Sequence, residues 1–216
     1  MTEETLARRM FLILHDPFTG RACVDIEPMK HGLVTAALAD LVVQRRLGMT
    51  DGRVVVVDPQ GNEAGDVSEL IVESMKGSRG ADVTRSWVES LADLVYELVA
   101  RKLMTDGVVR RQHGGRRVMR RNADRFPAVD LLRASGPRIR LERMLRSPHE
   151  MDVAGAVLAA IVHALHLGRA LEIDRDRAAV KRSLAAAIDH LPADLRGLVD
   201  ELSAAVSTIP LDFRRL

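Results

Sequence analysis

The sequence predicts a mainly α protein: a single-domain helical bundle over residues 1–216, with satellite amphipathic helices and a short β-hairpin. Three observations predict it. Apolar residues recur at the three- and four-residue spacing of a helix face through most of the chain. Strand-like runs are few and short. The 216 residues, 47% of them hydrophobic, suffice to bury a continuous core, and no Pro/Gly/Ser-rich linker divides them.

Taken in order, Leu6, Met10, Ile13 and Leu14 place a first helix over residues 3–15. Asp16 to Gly20 reads as a turn and 21–26 as a short strand. A strong helix follows over 29–47, with Leu33, Ala36, Ala37, Leu41 and Leu47 on one face and Gly48 placed as its cap. The β-branched run from Arg53 to Asp58 is a strand, ended by the turn Pro59-Gln60-Gly61. Asp66 and Glu69 have the spacing of a capping box that opens a helix to about Lys76. A longer helix runs from Val83 to Met104 and stops at Gly107. Residues 108–112 and 116–122 flank His113-Gly114-Gly115, the pattern of a hairpin with a glycine turn. Helices then follow over 138–146, 151–167, 175–190 and 193–208. Ala154, Val157, Leu158, Ile161 and Leu165, with almost no polar residues between them, make the 151–167 helix the central one.

Little in the sequence asks to be read as a reaction centre. Cys23 is the single cysteine, which excludes a disulfide framework and a four-cysteine zinc site. His163 and His166 stand one turn apart but lack the glutamate of a zincin and a third ligand nearby. Asp58 to Glu69 imitates calcium-loop spacing, yet Glu63 occupies the position that needs glycine. There is no nucleophile elbow, phosphate-binding loop or dinucleotide fingerprint. Trp87, Tyr96 and the four phenylalanines suit a core. The expectation is a protein that is not an enzyme and uses no cofactor. With no secretory pattern and no apolar run long enough to span a bilayer, it is expected to be cytoplasmic.

Charge is where the sequence is most informative. Residues 110–146 carry twelve arginines against Asp124, Asp130 and Glu142, a local charge of +9 that leaves −7 for the rest of a chain of net +2. With 28 arginines and four lysines in all, some of this is composition, and an arginine run is commonly a solvated face. A local excess of this size nevertheless attracts polyanions. Six of the arginines, Arg110, Arg111, Arg116, Arg117, Arg120 and Arg121, fall on the hairpin, on both of its faces, as suits an exposed projection. They are the candidate ligands for a phosphate or an anionic headgroup. A helix followed by a basic hairpin is also how the wing of a winged helix would look, so nucleic acid is an alternative partner. Single-stranded nucleic acid is less favoured, because Phe126 alone is near the block for bases to stack on. A third reading is a protein–protein scaffold or homo-oligomer in which the basic block meets the acidic remainder of another copy.

The order of segments resembles the Golgi phosphoprotein 3 family, the GPP34 domain, in its bacterial form. The resemblance rests on Thr5 to Leu14, Gly32 to Leu41 with Arg45-Arg46-Leu47, and Ala64-Gly65-Asp66. It continues through Trp87 to Leu91, Leu103 to Val109 and Pro148 to Asp152, nearly the whole chain. It implies a mostly helical, non-enzymatic domain that associates peripherally with membranes through phosphatidylinositol 4-phosphate. In eukaryotic members it further implies an adaptor that retains glycosyltransferases as clients. Aligned around Gly32 and Gly107, Asp25 falls where those members have a tryptophan, and Val34, Asp93 and Tyr96 where they have arginines. The resemblance therefore implies the fold more strongly than the headgroup pocket, and the arginine hairpin is the better candidate for an anionic lipid.

Overall fold

The computed structural model describes residues 4–59, 66–76, 84–114, 116–117, 120–121, 124–167, 171 and 177–208, and it is mainly α. Helix α1 (Leu6–Ile13) starts where the Thr5 hydroxyl accepts the Arg8 N–H at 3.3 Å. Helix α2 (Ile26–Val43) begins three residues earlier than expected and takes up the end of the anticipated 21–26 strand. Of that strand there remains one bridge, His15 to Ala22. Buried residues lie on every side of α2, from Met29 and Leu33 to Thr35 and Ala39, because α1, α5, α7 and α9 pack around it. A helix apolar all round belongs at the centre. The centre of the bundle is thus α2 together with α7 (Val153–Ala164), not α7 alone.

Gly48 is not the cap of α2. Arg45, at φ 59°, takes the left-handed position instead, and Gly48 lies in strand β1 (Leu47–Thr50). Asp51 and Gly52, at φ 51° and 71°, turn the chain into β2 (Arg53–Val56), with Leu47 opposite Val56. Paired positive φ angles at Asp-Gly are the two-residue hairpin turn that matches strand twist. The Arg46 side chain is buried, with Nη1 donating to Glu69 at 3.1 Å, and so ties this hairpin to α3 (Asp66–Lys76).

The helix expected over 83–104 is two segments meeting at Leu91, α4 (Thr84–Ser90) and α5 (Ala92–Thr105). Gly107, at φ 67°, ends α5 as anticipated. Helix α6 (Leu131–Arg146) starts two turns before residue 138, at Asp130, whose carboxylate accepts the Arg133 N–H at 3.1 Å. Pro137 lies inside it, so the Arg133 carbonyl loses its helical donor. The helix passes because the preceding residue is Gly136, which has no Cβ to clash with the proline ring. Such a Gly-Pro pair costs about 4 kcal/mol relative to two alanines, which the cap and the packing of Ala134, Leu141 and Leu145 must offset. After a 3-10 turn (Pro148–Glu150) come α7, α8 (Arg177–Asp189) and α9 (Ala193–Ser207).

Phe11, Phe126, Tyr96 and Trp87 are buried as expected, but Phe18 is not: 74% of it is exposed at the tip of the Asp16–Gly20 turn. Phe213 lies outside the described residues. Among the described residues no helix is long and apolar enough to cross a membrane, and no cluster of His, Cys, Asp and Glu forms a metal site.

Candidate functional site

The arginine hairpin grows from a three-ply base. Asp16 closes a turn by accepting the Thr19 N–H and hydroxyl, each at 2.7 Å. The carbonyls of that turn then hold the far arm: Phe126 N–H donates to Gly20 O at 2.8 Å and Ala128 N–H to Pro17 O at 2.9 Å. The near arm is zipped to the far one by Gln112 and Arg125, which exchange backbone hydrogen bonds of 2.8 and 2.9 Å. Gly20, at φ 66°, is obligatory here, since a Cβ would lie 2.1 Å from the Pro127 nitrogen.

One register runs the length of the hairpin. Val109 faces Ala128, Gln112 faces Arg125, and in β3 (Arg116–Arg117) and β4 (Arg120–Arg121) Arg116 faces Arg121 and Arg117 faces Arg120. The Arg116–Arg121 and Arg117–Arg120 pairs lie beyond His113-Gly114-Gly115, so the hairpin does not close there. Gly114 belongs to the near arm, where its N–H donates to Asp124 Oδ1 at 3.3 Å. A hydrogen bond to a carboxylate and the cross-strand pairs on either side outweigh the local turn preference of the two glycines.

The six candidate arginines divide by role. Arg111 is committed to the protein: its two terminal nitrogens grip Glu97 at 2.8 and 2.9 Å, Nε donates to Asp124 at 2.6 Å, and the guanidinium lies 5.6 Å from the centre of the Phe126 ring. The bonds to Glu97, against a smaller cost of burial, push its pKa further up. Burial would raise the Asp124 carboxyl, but the Arg111 and Gly114 donors outweigh it and hold Asp124 below the usual carboxylate range. Arg110, one residue earlier, is exposed. Arg116, Arg117, Arg120 and Arg121 form two cross-strand pairs of like charge, a placement that disfavours pairing unless an anion is near. Their side chains lie outside the described residues.

Sequence reasoning missed the apolar half of this end of the molecule. Phe18 (74%), Val129 (60%), Leu132 (83%) and Ile139 (60%) are large apolar side chains left in solvent. The bond from Ala128 to Pro17 sets the Phe18 turn beside Val129 at the hairpin's foot. Leu132 and Ile139, seven residues apart on α6, share its outer face. Starting α6 at 138 hid that stripe; a start at Asp130 shows it.

The four positions aligned with the family's headgroup pocket offer no phosphate site. Val34 is fully buried in the core. Tyr96 is buried near Phe11 and Phe126, and burial raises its hydroxyl to about 12. Asp25 stands at the start of α2 without capping it. Asp93 binds Lys30 at 2.6 Å, and Glu27 binds the same ammonium at 2.8 Å. One lysine thus meets two carboxylates where arginines would be required.

The fold and the site define a helical domain with a basic β-hairpin and an exposed apolar patch set together at one end. The family model described as Golgi phosphoprotein 3 (GPP34) matches residues 6–204, and the chain belongs to that family. No curated protein matches the chain.

Proposed function

We propose that the protein is a non-enzymatic peripheral adaptor that docks on an anionic membrane surface through the arginine hairpin and the apolar patch at its foot. The observation that carries this reading is the juxtaposition itself. Arginines supply long-range attraction to lipid phosphates, about 1 kcal/mol each near a charged surface. Phe18, Val129 and Leu132 supply side chains that gain by leaving water for the acyl boundary. Neither half alone would single out a bilayer. Family membership supports the same reading and makes phosphatidylinositol 4-phosphate the first headgroup to try, with headgroup choice left to the hairpin. Bound in this way, the bundle's remaining surface is free to hold client proteins. A cytoplasmic protein held peripherally on a membrane is the matching location.

Nucleic-acid binding by a winged hairpin is the weaker reading. Phe126, the one aromatic near the basic block that bases could have stacked on, is buried beneath Arg111, and an apolar patch has no use on a phosphate backbone.

Vesicle co-sedimentation tests the proposal. The chain should pellet with phosphatidylcholine vesicles containing phosphatidylserine or phosphatidylinositol 4-phosphate, and not with phosphatidylcholine alone. Failure on every anionic vesicle overturns membrane docking, and equal binding to both anionic lipids removes headgroup selection.

A further inference from the structure

A cleft of about 710 Å³ opens between the start of α1, the middle of α6 and the start of α7. Arg8 and Arg9 line it from α1, and Arg133 and Arg140 from α6, against the carboxylates of Glu4 and Asp152. Its floor is apolar, made by Pro137, Leu141 and Leu158. None of these residues belongs to the hairpin or to the positions aligned with the family's headgroup pocket.

Three observations make this more than a groove edged with surface ion pairs. First, the arginines are unequally engaged. Arg140 meets Asp152 at 2.8 Å and Arg133 donates to the Asp106 carbonyl at 3.0 Å. Arg9 has Glu4 at 3.9 Å, outside hydrogen-bonding distance. Second, Arg8 is 7% exposed, and although Asp106 holds its Nη2, its buried Nε has no hydrogen-bond partner among the described residues. A buried donor left unmet is costly, and a small turn of the Arg8 side chain toward an anion in the Arg8–Arg9 corner would meet it. Third, Gly136 sits mid-helix with ordinary helical φ, and a Cβ added there would find nothing within 4 Å. Besides sparing the Pro137 ring a Cβ clash, that glycine leaves room along the cleft.

We propose that this cleft binds a phosphate monoester carried on a small apolar body. Four guanidiniums line the cleft against Glu4, Asp152 and the Asp106 carboxylate that holds Arg8, a positive balance that favours a phosphate. Planar guanidinium forks match its oxygens, and the apolar floor takes the organic part. The ester is either a soluble metabolite or a lipid phosphate, and the two sources share this chemistry. The proposal does not rest on membrane docking through the hairpin, since no hairpin arginine lines the cleft and both probes are presented in solution.

Isothermal titration calorimetry of the full chain tests it, with phenyl phosphate as the soluble probe and dihexanoyl phosphatidic acid as the lipid probe. At least one of them should saturate a single site, with inorganic phosphate about tenfold weaker or more for lack of an apolar body. Whichever of the two binds more tightly identifies the source. Arg9→Ala should weaken that binding about tenfold. Gly136→Leu should abolish it by filling the cleft, at some cost in thermal midpoint because a Cβ before Pro137 is disfavoured in a helix. Arg116→Ala/Arg117→Ala should leave it unchanged. Absence of saturable uptake of both probes overturns the proposal. So does uptake indifferent to Arg9→Ala, a variant that keeps the test open even if Gly136→Leu fails to fold.

Discussion

His15 follows α1 with its ring stacked on Phe11 at 4.1 Å and edge-on to Phe126 at 5.4 Å, while Nδ1 donates to the Phe11 carbonyl at 2.8 Å. Burial lowers its pKa from 6.5 to about 4, the Phe11 carbonyl opposing and Arg138 adding to the shift. Between those two values the unfolded chain holds more protons than the folded one, so stability rises with pH across that window. The ring's contribution is complete above pH 6.5 and falls away by roughly 3 kcal/mol on acidification toward pH 4. Urea midpoints at pH 7 and pH 5 should therefore differ in the native chain and differ less in His15→Gln; equal differences would contradict the burial argument. Arg111 gives a second contrast. Arg111→Ala leaves Asp124 and Glu97 without their shared partner and should cost about 1–3 kcal/mol in urea unfolding. Arg110→Ala, on the exposed neighbour, should stay within about 0.5 kcal/mol.

Among the elements, the turn that underpins the hairpin is the least replaceable. Gly20→Ala sets a Cβ 2.1 Å from Pro127 and 2.4 Å from Phe126 backbone atoms at a φ of 66°, and should cost about 3 kcal/mol or more. Gly52→Ala, at φ 71° but with its nearest neighbour 3.5 Å away, pays the backbone term alone, about 1 kcal/mol. Denaturant unfolding of the two variants separates steric overlap from conformational cost. Elements with a strong helical period, α1, α7 and α9, were legible in the sequence because core contacts and local pattern agree there. The failures share a cause: a local signal lost to a non-local one. Gly136-Pro137 reads as a breaker, yet α6 runs through it from the Asp130 cap. Gly114-Gly115 reads as a turn, yet the Gln112–Arg125 and Arg117–Arg120 pairs move the tip onward. Leu47 reads as the end of a helix face, yet Arg45 turns the chain into β1.

Over the whole molecule, the net charge of +2 is a division into +9 and −7, and the basic share is concentrated in the hairpin and α6. That half of the candidate site was visible from sequence because charge needs no fold to be counted. Arg111's withdrawal was not, since Glu97 and Asp124 lie 14 and 13 residues away on other elements. Nor was the patch: Phe18 passes for a core residue until the turn that exposes it is seen. If both halves act on a bilayer, they should separate by salt. The arginine contribution is screened within a Debye length of about 8 Å at physiological ionic strength, whereas apolar insertion is not weakened. Phe18→Ser/Leu132→Ser, altering side chains 74% and 83% exposed, should keep the fold and lose the salt-resistant part of binding. The most direct measurement is co-sedimentation of the native chain and of Arg116→Ala/Arg117→Ala with phosphatidylserine-containing vesicles at low salt. Two lost arginine contacts should weaken binding by about 2 kcal/mol, some thirtyfold, and flatten its salt dependence. Binding of equal strength in the two proteins would contradict docking through the hairpin.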